Sequence, residues 1–231
     1  MENRDAFLHK LAQRLGREPR QTPHPLPPVK NHPAINRRAG LTPQQSCDDF
    51  IAYATHVMQA HCELTPLATV AQAAERLCQR YCGSPLLISG DARLKEIGVT
   101  DHLQHAFQTQ CWDPKAGDEN LRVAKDANIG VVYAEYGLSE TGGVVVFSTP
   151  QQGRAISLLP TSTLFILHKS RLLPSVAQLA QRLRQRVQSG EALPSCINLI
   201  AGPSSTADIE LIKVVGVHGP LNAVYLIIED C

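Results

Sequence analysis

The chain has 231 residues, 43% hydrophobic and 19% charged, with a formal net charge of +1. That length fits one α/β domain or one domain with an arm, and the apolar share is enough for a sizeable core. The near-neutral charge excludes a strongly basic nucleic-acid or anionic-membrane binder, and no apolar run approaches the ~20 residues that span a bilayer.

Residues 3–16 predict a short amphipathic helix, with Phe7, Leu8, Leu11, Ala12 and Leu15 on one face and Gly16 as its stop. The stretch mixes charge with apolar residues throughout and lacks the apolar core of a secretory signal, which places the protein in the cytoplasm. REPRQTPHPLPPVKNHPAINRRAG follows, proline-rich and basic, and reads as a semi-extended linker without a core of its own. Residues 1–40 therefore form an arm that either docks on a partner or folds back onto its own domain.

The compact domain spans 41–231. Thr42-Pro43-Gln44-Gln45 reads as N-cap, first-turn proline and capping-box glutamine, opening a helix to about His61. Thr65-Pro66 repeats the device for a second helix ending at Gly83. PLLISG reads as a buried strand, and Gly90-Asp91 starts another helix. A short strand around QCW and a helix at 118–127 come next. NIGVVYAEYGL, GGVVVFS and TLFILHK are apolar, β-branched runs of strand length. Pro174 opens a helix with Val176, Leu179, Ala180, Leu183 and Val187 at helical spacing and Gly190 beyond it. SCINLIAG and AVYLIIED are the last two strands.

Short apolar strands alternating with helices predict an α/β fold, a parallel sheet covered by helices on both faces. The strand-rich cluster at 129–168 predicts an antiparallel insertion or a mixed sheet. The cysteines are seven and contain no C-x-x-C pair, so zinc-ribbon, ferredoxin-type and thioredoxin-type spacings are missing, and no metal or cofactor site is read in this chain. Cys78 and Cys82, one turn apart, read as part of a buried helix face rather than as the alternative, two metal ligands, and the terminal Cys231 reads as exposed.

In open α/β sheets ligands collect beyond the carboxyl ends of the strands. Two loops carry unusual polar content. After the strand SCINLIAG comes GPSST, and Ser205-x-x-Asp208 matches a capping box that starts a helix at Thr206 or Ala207. Backbone N–H groups and hydroxyls at such a start form an anion site; the alternative is a plain helix cap. It is not a Walker loop, and Asp208 and Glu210 would repel a bare phosphate unless Lys213, His218 or a cation offsets them. The second loop, AEYGLSETGG, sets Glu140, Thr141, Gly142 and Gly143 between two strands. Glu140 reads as a general base, a nucleophile or a hydrogen-bond acceptor, or else as the polar cap of a hairpin. His168, Asp91, Arg93 and Trp112-Asp113-Pro114 occupy similar strand-end loops and are weaker signals.

These two loops, ETGG within AEYGLSETGGVVVFS and the long GPSSTADIELIKVVGVHGP, closely resemble the lactate utilization protein C family (LutC/YkgG, the LUD domain). The likeness extends from the FLHKLAQRLGR arm to the ending AVYLIIEDC. Where the family's commonest form has arginine, this chain has Ser205, so one cation is missing from that loop. The resemblance implies a Rossmann-like layered domain similar to the NagB/RpiA/CoA-transferase group. It also implies a part in oxidation of L-lactate to pyruvate beside iron–sulfur partners of the LutA and LutB type, which hold the clusters. On that reading a small-anion or nucleotide-type site is built from Glu140, Thr141, Gly142, Gly202, Ser204, Ser205, Thr206, Asp208 and His218. Glu140 and His218 are its chemical groups, and the Gly219-Pro220 corner returns His218 toward the strand ends. Two alternatives stand beside it: an acyl- or CoA-transferase-like enzyme using Glu140 covalently, and a non-catalytic scaffold whose arm docks the partners.

Overall fold

Helix α1 (Glu2–Arg14) stops where the sequence puts its glycine. Gly16 adopts φ +63°, and the Arg17 N–H returns to the Ala12 carbonyl at 3.1 Å. The structure, a computed structural model, describes residues 2–19, 38, 40–207 and 212–231. The chain divides into two compact units, Met1–Pro33 and Ala34–Cys231. The proline-rich stretch 20–37 lies outside the described residues.

In the larger unit, Thr42 starts α2 (Pro43–His56) with a reciprocal capping box. Its hydroxyl accepts the Gln45 N–H at 3.2 Å, and the Gln45 side chain accepts the Thr42 N–H at 2.9 Å. Two donors that every helix start leaves open are thereby satisfied. The elements that follow are β1 (His61–Pro66), α3 (Val70–Arg80), β2 (Leu86–Ile88), α4 (Ala92–Glu96), α5 (Val99–Ala106) and β3 (Thr109–Cys111). Next come α6 (Asp118–Asp126), β4 (Ile129–Tyr133), β5 (Tyr136–Leu138), β6 (Gly143–Ser148), α7 (Ala155–Leu158) and β7 (Ser162–His168). The chain closes with β8 (Leu172–Leu173), α8 (Val176–Gln188), β9 (Cys196–Ile200), the short β10 (Ser205–Ala207) and β11 (Lys213–Val215), and β12 (Asn222–Glu229).

A six-stranded sheet runs in the order β1-β12-β7-β4-β2-β3, and every pairing in it is parallel. Its strands are apolar on both faces because both are covered. Leu86, Ile88, Val131, Ile166 and Leu226 face α3, α4 and α5, through Ala74, Leu77, Leu94 and Leu103. Leu87, Val132, Phe165, Tyr225 and Ile227 face the other way, against Phe50 of α2, Ala124 of α6 and Ile156 of α7. The Tyr225 ring anchors this second layer, 5.6 Å from the Phe50 ring and 5.5 Å from that of Phe165. The Rossmann-like layered α/β architecture expected from the sequence is the one found.

The strand-rich region forms the second sheet, order β8-β5-β6-β9, in which β5-β6 and β6-β9 are antiparallel. It is sandwiched: Val144 and Val146 point into the Phe50–Tyr225 layer, while Val145 and Phe147 pack with Leu179 of α8. NIGVVYAEYGL thus divides into β4 and β5, which belong to different sheets.

Four expectations need correction. The helix that Thr42 opens ends at His56 rather than near His61, and His61 already belongs to β1. The helix from Thr65-Pro66 begins only at Val70, and His61–Pro66 is an edge strand. Its HCELTP sequence has no β-branched run, so backbone pairing with β12 alone makes it a strand. The helix expected at Thr206 is instead a hairpin, with Thr206 opposite Val214. Cys82 lies beyond the end of α3 with φ +76° and is exposed, while Cys78 is buried.

Candidate functional site

Each residue of the ETGG turn has a structural occupation. Glu140 is half-buried, and its Oε1 accepts the Val176 N–H at 2.7 Å, so its carboxylate sits on the first turn of α8. A negative charge there faces the positive end of the helix dipole. The Thr141 hydroxyl donates to the Leu138 carbonyl at 3.4 Å and accepts the Gly143 N–H at 3.3 Å, closing the turn on itself. Gly142, at φ +60°, lies against α2: a Cβ there would come within 2.4 Å of the Ala54 backbone nitrogen.

The second motif meets the same helix end. A Cβ on Gly202, at φ +71°, would fall 2.2 Å from the Met58 carbonyl oxygen. The Gly202 N–H donates to the buried Tyr225 hydroxyl at 2.8 Å. Ser204 donates its N–H to the Pro220 carbonyl at 2.9 Å and accepts the Gly216 N–H on its own carbonyl at 2.8 Å. These bonds close the loop at both ends and start the hairpin, on which Ser205 is exposed and Thr206 half-exposed. Asp208 lies outside the described residues.

The two motifs do come together. Gly143 faces Ile200 and Ala201, since β6 and β9 are paired there. What they share is the seat of the C-terminal end of α2, where only glycine leaves room for the backbone. The loop around Ser204 and Pro220 lies at the amino-terminal edge of the six-stranded sheet, just before β12 begins. His218 is exposed in that loop, and no hydrogen bond or ion pair joins it to Glu140.

The opposite edge carries a different constellation. From β2 the chain passes to β3 on one side; from β4 it passes to β7 and β12 on the other. The carboxyl ends of β2 and β4 therefore flank the point where strand order reverses, the usual ligand crevice of such sheets. Asp91 follows β2 as the N-cap of α4, accepting the Arg93 N–H at 3.0 Å. The Arg93 guanidinium grips the same carboxylate twice, Nε to Oδ1 at 2.9 Å and Nη2 to Oδ2 at 2.7 Å. Its Nη1 donates to Oε2 of Glu135, two residues past β4, at 2.8 Å. The guanidinium carbon lies 3.9 Å from the centre of the Tyr133 ring. Arg186 of α8 reaches the other oxygen of Glu135 at 3.3 Å. Next in line, His168 and the Ser170 hydroxyl both meet Asp230, at 3.0 and 2.6 Å.

Burial and partners act in opposite senses on these charges. Burial tends to raise the Asp91 carboxyl, but the hydrogen bonds and charge of Arg93 outweigh it and hold it below the ordinary carboxylate value. Burial likewise tends to lower Arg93, and the bonds to Asp91 and Glu135 hold it raised. Asp230 is also held low: burial opposes its charge, and Ser170 and His168 favour it. The Glu135 side chain is only 10% exposed, whereas that of Arg93 is 38% exposed. A guanidinium has five N–H donors. Three are used here, which leaves one on each terminal nitrogen of a charged group that is partly exposed.

Asp91 and Arg93 were visible in the sequence only as a helix start after a strand. Glu135 had one signal available, a lone carboxylate inside the apolar run NIGVVYAEYGL. Arg186 had none, because it reads as one of several arginines on an amphipathic helix.

A doubly wound parallel α/β sheet with an inserted mixed sheet defines a class of fold that hosts many chemistries rather than one. The chain belongs to the LUD domain family, whose model matches residues 52–228. It is 55% identical over 231 residues to YkgG of Escherichia coli (strain K12), covering all of both chains. It is 37% identical to lactate utilization protein C of Bacillus licheniformis and 36% identical to that of Bacillus subtilis (strain 168). In both cases all of this chain and 98% of the relative are covered. A crystal structure of a DUF162 family protein from Deinococcus radiodurans shares the fold, with a TM-score of 0.56 at 14% identity, over 81% of this chain and 99% of that one.

Proposed function

We propose that this chain is a component of an L-lactate utilization system. It holds a small carboxylate of the lactate or pyruvate kind at the switch-point crevice, beside iron–sulfur partners of the LutA and LutB type that carry the redox centres. The relatives named lactate utilization protein C support the system. The observation that supports the site is Arg93, fixed by Asp91 and Glu135 over the Tyr133 ring with two N–H donors left. A guanidinium held by three hydrogen bonds and a ring keeps its direction, so little ordering is lost when a carboxylate docks on it. The chain's own task is then to bind and orient the acid, with Glu135 and Asp91 keeping the arginine charged and aimed. The motif residues Glu140, Thr141, Gly142 and Gly202 act by seating α2 and α8 behind the sheet.

The test has two parts. Calorimetric titration of the full chain with L-lactate and pyruvate should give binding that Arg93→Lys weakens at least tenfold, since lysine keeps the charge and loses the fork. Omission of the chain from a reconstituted system with its iron–sulfur partners should abolish lactate-dependent dye reduction. A folded chain that binds neither acid sinks the site, and undiminished lactate oxidation without the chain sinks the role.

A second reading, a docking role for the arm, is favoured by one observation: Phe7 and Leu15 of the first unit are 63% and 58% exposed. Loss of partner co-purification on changing both to Ser would select it.

A further inference from the structure

A groove runs beside the crevice, between the turn that follows β7 and the outer side of α8. Its volume is about 590 Å³, and Arg171, Arg182, Gln185, Arg186 and Tyr136 line it together with Ser170 and Ser189. We infer that this groove binds the phosphate or diphosphate group of a small phosphorylated ligand.

The charges argue for it. No acidic side chain lines the groove. Arg186 is partnered behind it by Glu135 and Glu191, and the Ser170 hydroxyl by Asp230. Arg171 and Arg182 have no carboxylate within salt-bridge distance among the described residues, so their charge faces the groove unbalanced. Two unmatched guanidiniums converging with a third, which is fixed in place, provide the planar forks that phosphate oxygens accept. The Ser170 and Ser189 hydroxyls already donate to Asp230 and to the Arg186 carbonyl, which leaves the arginines, the Gln185 amide and the Tyr136 hydroxyl as the donors. The volume exceeds what a three-carbon acid needs, and a groove lined by one sign of charge concentrates anions. The position also suits a bound group: the groove opens past the carboxyl ends of β7 and β12, on the same edge as the crevice.

This inference stands on the groove alone and does not depend on the lactate reading. The probe is inorganic pyrophosphate, titrated into the full chain at constant ionic strength and followed by phosphorus NMR and calorimetry. Binding is expected with a Kd below about 1 mM. Arg171→Ala and Arg182→Ala should each weaken it about tenfold, the loss of one charge-assisted hydrogen bond. Arg184→Ala removes an equal charge from the same helix, outside the groove, and should change Kd by less than about twofold. All three arginines are exposed, so the variants keep their fold. No binding of pyrophosphate, or equal weakening by Arg184→Ala, overturns the inference. Lactate titrations of the Arg171 and Arg182 variants should match the parent chain, so each site can fail without the other.

Discussion

Replacing Glu140 separates the two occupations that its position allows. In the structure its Oε1 accepts the Val176 N–H at 2.7 Å, at the start of a 13-residue helix. Glu140→Gln keeps an acceptor oxygen and removes the charge, so it forfeits the dipole interaction, about 0.5 kcal/mol at a partly exposed site. Glu140→Ala also leaves the N–H without this partner, which raises the loss to about 1–2 kcal/mol. For a chain of this length that corresponds to a Tm lowered by about 2–8 °C in the alanine variant, and by about 1–2 °C in the glutamine variant. The charge part should shrink as salt is raised, and the hydrogen-bond part should not. Differential scanning calorimetry at two ionic strengths measures both, and the lactate-dependent activity of the reconstituted system is read on the same samples. A cap predicts the graded stability loss with activity within about twofold of the parent. An unchanged Tm in both variants, with activity down by roughly 10²-fold in Glu140→Gln, would falsify the capping account and restore the carboxylate to chemistry.

Gly142→Ala should destabilise by more than about 2 kcal/mol, because it combines a left-handed backbone with a Cβ driven into the Ala54 backbone. Gly190→Ala, at φ +87° with open space around it, should cost only about 1 kcal/mol, and urea unfolding compares the two. The lowered Asp91 carboxyl contributes stability that is complete above the unfolded value near 3.9 and is lost as pH falls through the lower folded value. Asp91→Asn should therefore be less stable than the parent at pH 6, with the gap closing below about pH 4 in acid titrations. Thiol labelling at pH 8 should modify the exposed Cys82 and Cys231 quickly, and Cys111 more slowly, because burial raises its thiol. It should spare Cys78, which is buried and whose pKa burial pushes up to about 12, and Cys62, pushed up to about 11.

What the sequence determined by itself was local. The Thr42 capping box, the N-cap at Asp91, the helix after Pro174 and the glycine stop at Gly16 all formed, because each depends on groups within a few residues of one another. The apolar runs became buried strands because a covered parallel sheet has no wet face, and that also fixed the α/β class. Pairing and convergence were decided by the tertiary structure. HCELTP is a strand only because β12 offers it an edge, and residues 205–207 are a strand only because Lys213–Val215 lies opposite. Ser205 and Asp208 spelled a helix cap, but such a cap is worth about 1 kcal/mol, and the backbone bonds from Ser204 to Pro220 and Gly216 outweigh it. The crevice shows the same limit. Asp91 and Arg93 lie just past one strand end, Glu135 just past another and Arg186 on the helix that covers the outer face of the second sheet, 42 and 51 positions apart along the chain for the two bonds to Glu135. No local spacing encodes that meeting: it follows from strand order, which is set by how buried faces pack and which edges remain to be paired.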